Sequence, residues 1–206
     1  MEKDFSARIV DLEEAYEMAY KVANQITNDG FKIDIIIGIA RGGLPPARFI
    51  CDFLNITKLT TLQITHYTGG GTAKENVEVI DPLNIDLKGR NVLLVDDVND
   101  SGETLIEATQ HINTMGPGEL KTAVLHEKSN TSMNADYTGS TLEEWEWLIY
   151  QWAVTEDILE FLHEVNKLQL PAEKSAKFLS ETYQLDVDQH LIEKALSMKE
   201  NYFSNK

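Results

Sequence analysis

Residues 91–104 constrain the fold of this chain more than any other stretch of its sequence. They begin with an apolar run typical of a buried strand and continue with two acids, Asp96 and Asp97. The polar loop 99–104 follows and predicts the start of a helix, where unpaired N–H groups and the helix dipole favour an anion such as phosphate. Gly102 lets the backbone approach that anion closely. Because carboxylates repel phosphate, the two acids are expected to bind something else, such as hydroxyl groups, a metal ion or a proton.

Strand-like and helix-like segments alternate along the chain and predict an α/β fold. The β-branched run 31–39 suits a central parallel strand buried on both faces, and Asp11 is a suitable N-cap for an amphipathic helix. We predict a central, mostly parallel sheet flanked by helices, with ligands at the carboxyl ends of its strands. The predicted order is helix 11–28, strand 31–39, turn 40–43, helix 45–54, strand 58–64, loop 66–77, strand 91–95, helix 104–115 and strand 121–125.

The pattern changes to helices alone near residue 155. Helices are predicted over residues 156–167, 173–183 and 188–202, and Pro171 separates the first two. The predicted organisation is a domain of residues 1–154 and a helical C-terminal extension of residues 155–206. About fifty residues are marginal as an independent fold, so the extension is expected to pack on the core or at a subunit interface.

Composition excludes several classes of partner. The net charge is −16, from 34 acidic and 18 basic residues, so a nucleic acid would be repelled. A single cysteine, Cys51, cannot form a disulfide within the chain, which favours a reducing cytoplasm. The N-terminus lacks a signal-peptide pattern, and the apolar run 33–40 is too short to span a bilayer.

Two motifs carry a resemblance to a known family. The segment 92–104 resembles the phosphoribosyl diphosphate (PRPP) motif of type I phosphoribosyltransferases, in which an apolar strand, two acids and two spacers precede Asp-Thr/Ser-Gly-x-Thr. The segment 38–47, Gly-Ile-Ala-Arg-Gly-Gly-Leu-Pro-Pro-Ala, resembles the pyrophosphate loop of the same family. The resemblance implies the type I phosphoribosyltransferase fold and transfer of a phosphoribosyl group from PRPP, with release of pyrophosphate and with Mg²⁺ as cofactor.

Downstream residues are similar to the bacterial and archaeal 6-oxopurine members of that family. The resemblance implies that Lys128 donates to the 6-oxo group, that the ring of Trp147 stacks on the base, and that the backbone at Leu148 contacts the base edge. An ammonium group can only donate a hydrogen bond, which selects a carbonyl at position 6 and disfavours the amino group of adenine.

The resemblance also assigns roles to the two motifs. Arg41 is expected to bind pyrophosphate, as a fixed charge with a forked set of donors, and to assist catalysis. Asp96 and Asp97 are expected to hold the ribose hydroxyls and, through water or those hydroxyls, the Mg²⁺. Asp100 is the candidate general acid or base. The predicted pyrophosphate site consists of Ala40, Arg41, Gly42 and Gly43, and the predicted 5′-phosphate cradle of Asn99, Asp100, Ser101, Gly102, Glu103 and Thr104.

A glycine-rich loop, residues 66–76, is expected to close over the site, with Tyr67 and Lys74 reaching PRPP. The chain departs from the family at Ser101, where threonine is commoner, and at Ala153, where the subgroup often has an acid that binds a second metal ion. Ala153 puts that second metal site in doubt, although Glu156 or Asp157 is a possible substitute.

The predicted function is purine salvage, in which hypoxanthine, guanine or xanthine becomes a nucleotide monophosphate in the cytoplasm, in a homodimer or higher homo-oligomer. Two alternatives stay open: a phosphoribosyltransferase for orotate or adenine, and a non-catalytic PRPP-sensing regulator of the same fold. The sequence does not show which of the three 6-oxopurines is preferred, because backbone geometry decides which groups contact position 2 of the ring.

Overall fold

The computed structural model describes residues 5–68, 75–81 and 83–204. Its contacts divide the chain into two compact units: one consists of Ala15–Glu144, and the other of the described residues of Met1–Glu14 and Trp145–Lys206. Within the described residues, the helices and strands are β1 Ala7–Val10, α1 Leu12–Asp29, β2 Ile35–Ala40, α2 Leu44–Leu54, β3 Leu59–Thr68, β4 Glu75–Asp81, β5 Asn91–Asn99, α3 Glu103–Asn113, β6 Glu119–Lys128, β7 Tyr137–Leu142, β8 Trp147–Tyr150, α4 Val154–Glu164, α5 Ala172–Tyr183, α6 Gln189–Ser197 and α7 Lys199–Ser204.

A six-stranded sheet in the order β4-β3-β2-β5-β6-β7 forms the centre of the larger unit. All neighbouring strands pair in parallel except β3 and β4, which are antiparallel. This agrees with the predicted mostly parallel α/β sheet. Strands β5 and β6 extend beyond residues 95 and 125 to Asn99 and Lys128, so Asn99 belongs to a strand and not to the predicted loop.

Both faces of the central strands are buried, as the apolar runs predict. Ile37 and Leu94 pack on one face with residues of α3 such as Leu105. On the other face Gly38 lies against α2, where an added Cβ would be 3.3 Å from Cβ of Ala47. Helices therefore flank the sheet on both sides, and its carboxyl edge is left for the loops that carry the two motifs.

The starts of helices α1 and α2 follow from local chemistry. Asp11 caps α1 as predicted, because its Oδ1 accepts a hydrogen bond of 2.8 Å from the Glu14 N–H. Prolines occupy the first turn of α2, where no intrahelical N–H bond is lost. Along α1 the predicted apolar stripe is only partly buried, since 53% of Leu12 and 40% of Tyr16 are exposed.

Both described ends of the segment predicted as a loop over residues 66–77 are strand. β3 runs to Thr68, and Tyr67 pairs with Asn76 of the antiparallel strand β4. For residues 66–68 and 75–77 the loop prediction was wrong, because their polar residues give no strand signal and cross-strand pairing decides their conformation. Lys74 and the side chain of Tyr67 lie outside the described residues, so their expected contacts with PRPP stay predictions.

The smaller unit joins the two-stranded parallel sheet of β1 and β8 to helices α4–α7. Its apolar core includes Ile149 of β8, Leu159 of α4 and Ile192 of α6. The last predicted helix is divided, because α6 ends before Met198 and α7 begins after it. The boundary predicted between residues 154 and 155 falls inside this unit, and the role of the extension stays a prediction.

Across the part of the chain that the structure describes, no helix is both long enough and apolar enough to cross a membrane.

Candidate active site

Three neighbouring parallel strands bring the predicted motifs together at one edge of the sheet. β5 lies between β2 and β6, and each of the three strands ends in a predicted site residue: Ala40, Asn99 and Lys128 respectively. The loop 40–43 and the loop 99–104 are therefore adjacent, although about sixty residues separate them in sequence. This is the edge at which parallel α/β sheets bind their ligands.

The predicted pyrophosphate loop packs tightly against the acidic strand end. The Ala40–Arg41 peptide bond is cis. A Cβ on Gly42 would lie 2.7 Å from Cγ of Asp97, and one on Gly43 would lie 2.8 Å from the Ile39 carbonyl oxygen. At Gly43 the close atoms are backbone, so no larger residue fits there, whereas a larger residue at Gly42 would displace the Asp97 carboxylate. The Arg41 side chain is exposed beside them.

Asp96 and Asp97 occupy different environments. Asp96 is 8% exposed, and burial raises its pKa well above the usual range, with the neighbouring Asp97 charge as a second cause. Oδ1 of Asp96 accepts a hydrogen bond of 3.0 Å from the Asp97 N–H, and Oδ1 of Asp97 accepts one of 2.9 Å from the Val98 N–H. The two neighbouring carboxylates therefore differ both in burial and in the backbone N–H that each accepts.

The predicted phosphate loop turns sharply into α3. Gly102 has a φ of +90°, and a Cβ there would lie 2.6 Å from Oγ of Ser132 and 2.8 Å from the Met133 nitrogen. The amides of the first turn of α3 point out of the helix end, as an anion site requires. The Ser101 side chain is exposed at the turn, and its Oγ lies 3.4 Å from the Glu103 nitrogen. Thr104 is the second residue of α3.

Asn99 differs from the other members of the predicted phosphate cradle, because its side chain is turned into the protein. It is 3% exposed, and its Nδ2 donates to Oε2 of Glu127 at 2.9 Å and to the Met133 carbonyl at 2.7 Å. Its Oδ1 accepts from Oγ1 of Thr131 at 3.1 Å. Both ends of the amide are bonded within the protein, so the side chain supports the loop. The sequence did not point to Glu127 or Thr131. The one signal was the charged side chain of Glu127 after an apolar run, and Thr131 gave none.

Lys128 and Asp100 form an ion pair at the end of β5 and β6. Nζ of Lys128 lies 3.2 Å from Oδ2 of Asp100. The two side chains differ in exposure, at 3% for Lys128 and 41% for Asp100. The residue predicted to bind the 6-oxo group is thus in contact with the residue predicted to move the proton of the base.

Trp147 and Leu148 belong to the smaller unit. Trp147 is 38% exposed, its Nε1 donates to Oδ1 of Asp157 at 3.1 Å, and its ring stacks on Phe5 with a centroid distance of 6.4 Å. Leu148 is buried and pairs with Arg8 in the strand register. Their role in base binding stays a prediction. Asp157, considered as a substitute metal ligand, accepts that bond from Trp147, and its role at a metal ion stays a prediction.

The described residues contain no cluster of three or more histidine, cysteine or acidic side chains able to hold a metal ion. Asp96 and Asp97 supply carboxylate oxygens at the strand end, which are ligands that Mg²⁺ accepts. Mg²⁺ usually keeps several waters and shares its ligands with substrate phosphates, so two carboxylates fit an ion that arrives with a phosphorylated substrate.

Fold and site together define a class: an α/β protein that binds a phosphorylated ligand in loops at the carboxyl ends of parallel strands. Residues 7–157, more than half of the chain, match the model of the phosphoribosyl transferase domain. The protein therefore belongs to the phosphoribosyl transferase family, and the predicted family and fold are confirmed.

Individual relatives agree with this assignment. The chain is 28% identical over 147 residues to the hypoxanthine-guanine phosphoribosyltransferase of Streptococcus pneumoniae, covering 69% of this chain and 82% of that protein. It resembles the purine phosphoribosyltransferase of Pyrococcus horikoshii, with 31% identity, a TM-score of 0.61, and coverage of 70% and 93% respectively. A hypothetical protein from Neisseria gonorrhoeae with bound ppGpp matches with 29% identity, a TM-score of 0.64, and coverage of 73% and 91%.

Proposed function

We propose that this protein is a purine salvage enzyme that transfers the 5-phosphoribosyl group from PRPP to hypoxanthine, guanine or xanthine and releases pyrophosphate. The relatives named as hypoxanthine-guanine and purine phosphoribosyltransferases support this reaction. The gonococcal neighbour supports a purine site as well, because ppGpp is a guanine nucleotide.

The Lys128–Asp100 pair is the observation that carries the choice of base. A 6-oxopurine with a proton on N7 presents an acceptor, O6, beside a donor, N7–H, on one edge of the ring. Lys128 can only donate, and ionised Asp100 can only accept, at atoms 3.2 Å apart. The pair therefore complements that edge. Adenine presents an amino group at position 6, which opposes the ammonium group.

The remaining residues act on PRPP. Arg41 binds pyrophosphate oxygens and neutralises the charge that the leaving group gains as the C1–O bond breaks. The helix N-terminus at Gly102 holds the 5′-phosphate, and Asp96 and Asp97 hold the ribose hydroxyls. Asp96 and Asp97 would also hold Mg²⁺, through water or those hydroxyls. The bound ion would neutralise further charge on pyrophosphate.

Asp100 takes the proton of the base. Before the base binds, its carboxylate is paired with the buried ammonium group of Lys128. When the purine carbonyl binds to Lys128, Asp100 faces the N7 proton within hydrogen-bond reach. Recognition of the carbonyl and removal of the proton are thus performed by one pair of side chains.

We further propose a homodimer or higher homo-oligomer, as the family resemblance implies, and a cytoplasmic location, which the single cysteine supports. The closing role of Tyr67 and Lys74 and the stacking role of Trp147 belong to the same proposal. The alternatives are an orotate or adenine enzyme and a PRPP-sensing regulator. The buried ammonium group of Lys128 favours a carbonyl over adenine.

A turnover panel tests the proposal. The purified full chain is incubated with PRPP, Mg²⁺ and one base at a time (hypoxanthine, guanine, xanthine, adenine or orotate), and the nucleotide formed is measured. We expect turnover with at least one 6-oxopurine and none with adenine or orotate. Turnover with only adenine or orotate would contradict the choice of base. PRPP binding with no turnover of any base would favour the regulator.

A further inference from the structure

A buried carboxylate, Glu127, lies directly behind the candidate active site and takes no part in the reaction described above. It is 4% exposed. Its Oε2 accepts hydrogen bonds from Nδ2 of Asn99 at 2.9 Å and from the Ala135 N–H at 2.6 Å, and its Oε1 accepts one from Nδ2 of Asn134 at 2.9 Å. A buried carboxylate without such donors would be strongly destabilising, so all three bonds matter to its position.

The bonds of Glu127 fix residues 131–135, which we call the brace segment. Asn99 adds to this attachment by donating to the Met133 carbonyl at 2.7 Å. The brace segment in turn holds the phosphate loop: the Ser132 N–H and Oγ both donate to the Ser101 carbonyl, at 3.0 and 2.5 Å. A hydrogen-bonded path therefore runs from Glu127 to the turn that presents the predicted phosphate amides.

The position of Glu127 in the sheet gives it a second connection to the site. Glu127 and Asn99 are register partners on β6 and β5, and Lys128 and Asp100 are the residues that follow them. The inner pair is hydrogen-bonded and buried, whereas the outer pair is the ion pair at the site edge. Because the outer pair keeps its own contact, a loss at Glu127 is expected in the loop that the brace segment holds and not in the base site.

We propose that Glu127 is a positioning residue for the PRPP site: it holds the brace segment, and through it the 99–104 loop, in the conformation that binds the 5′-phosphate. This inference rests on the proposed function, since it takes PRPP as the ligand. Phosphate binding by backbone amides depends on their preorganised direction, so a loosened loop weakens ground-state binding of PRPP first.

Two substitutions of Glu127 separate positioning from mere folding. Glu127→Leu removes both acceptor oxygens, and with them all three hydrogen bonds, whereas Glu127→Gln retains one oxygen, which can occupy the Oε2 position that bonds Asn99 and Ala135. We expect Glu127→Leu to raise KM for PRPP about tenfold, or about 1.4 kcal/mol, with KM for the base and kcat within about threefold. Glu127→Gln should restore most of the affinity. Glu119→Gln, at the other end of β6, is the matched control.

A milder variant keeps the test decisive if Glu127→Leu does not fold. Ser132→Ala removes the exposed hydroxyl that bonds the Ser101 carbonyl and should raise KM for PRPP about two- to threefold. Its control is Ser129→Ala, whose hydroxyl lies 3.5 Å from the Glu143 carbonyl instead.

Three results would overturn the inference. The first is a lower Tm in Glu127→Leu with an unchanged KM for PRPP, which would make the residue structural only. The second is an equal loss for PRPP, base and kcat. The third, where only the serine variants fold, is no difference between Ser132→Ala and Ser129→Ala. Failure of the proposed function itself is told apart beforehand by the turnover panel on the unmodified protein, and the inference about Glu127 falls with it only if that protein does not bind PRPP.

Discussion

The two ends of strand β6 each carry a lysine paired with an aspartate, and the two pairs are built differently. At the amino end, Nζ of Lys121 lies 2.7 Å from Oδ2 of Asp29, which also accepts a bond of 2.6 Å from the Tyr137 hydroxyl. At the carboxyl end, Lys128 lies 3.2 Å from Asp100. The first lysine side chain is 22% exposed and the second 3%.

The amino-end cluster is a closed network. Hydrogen bonds to Asp29 and Tyr137 raise the pKa of Lys121. Hydrogen bonds from Lys121 and Tyr137 lower the pKa of Asp29. Burial, followed by the hydrogen bond to Asp29, raises the pKa of Tyr137 to about 12. The lysine ammonium also lies 5.4 Å from the centroid of the Tyr137 ring. These groups satisfy one another, so the cluster offers little to a ligand.

The carboxyl-end pair combines a buried ammonium group with a carboxylate that is 41% exposed, close to the 45% of Asp29, so the two pairs differ in the burial of the lysine. Nζ of Lys128 and Oδ2 of Asp100 are in hydrogen-bond contact, so under the proposed function the purine binds beside the pair and not between its atoms. A buried ammonium group needs acceptors, and in that proposal the purine carbonyl is one of them. The same two residue types then stabilise the fold at the amino end of β6 and, under the proposed function, recognise the base at its carboxyl end.

The largest effect is expected from removing the charge of Asp100. Asp100→Asn keeps an oxygen for Lys128 but cannot take a proton, so kcat should fall about 10²–10⁴-fold. KM for PRPP should change little. The matched variant Asp29→Asn, at the other end of the sheet, should leave kcat unchanged; equal kcat in both variants would remove Asp100 from the mechanism.

A smaller effect is expected from Lys128→Met, which removes the charged donor to the purine carbonyl. We expect kcat/KM for the base to fall about 10–10²-fold, the usual range for a hydrogen bond to a charged group. The dissociation constant of PRPP, measured by calorimetry, should stay within about threefold. An equal loss for base and PRPP would mean that Lys128 binds phosphate instead.

Asp96→Asn should separate stability from activity. The pKa of Asp96 is raised, so the folded protein binds its proton more tightly than the unfolded chain does. Asp96 therefore lowers the free energy of unfolding as pH rises from its ordinary pKa of about 3.9 through the folded value. The substitution should raise Tm at pH 7.5 by about 2–4 °C, the shift that about 1 kcal/mol gives at this size. The gain should vanish below about pH 4, whereas kcat/KM for PRPP should fall at neutral pH. A lower Tm at pH 7.5 would contradict this account of Asp96.

The smallest effect is expected from Lys121→Met, the control for Lys128→Met. Exposed ion pairs contribute little, so Tm should fall by less than about 3 °C and kcat/KM should be unchanged. Because the pKa of Lys121 is raised, the stability it adds is present throughout the neutral range and is lost only as pH rises through the folded pKa, in strong base. Thermal melts of wild type and variant at pH 7 and pH 10 test this. A loss of activity comparable to that of Lys128→Met would remove the distinction between the two ends of β6.

Local signals predicted much of the fold. The Asp11 cap and the helix that begins near Pro45 are confirmed, because each depends on a few neighbouring residues. Four strands were missed: β1 and β8 have only four residues each, and β4 and β7 carry several polar residues. Their conformation depends on a partner strand distant in sequence, which local patterns do not contain.

The sequence alone determined the parallel α/β class and the loops that suit PRPP, since strand length, paired acids and a glycine at a helix start are local features. Tertiary structure alone decided which of these residues meet. Only the register of β5 and β6 brings Lys128 into an ion pair with Asp100 and lets the buried side chain of Asn99 bond to Glu127. Contacts between residues almost thirty positions apart depend on strand pairing and burial, and no periodicity in one segment can specify them.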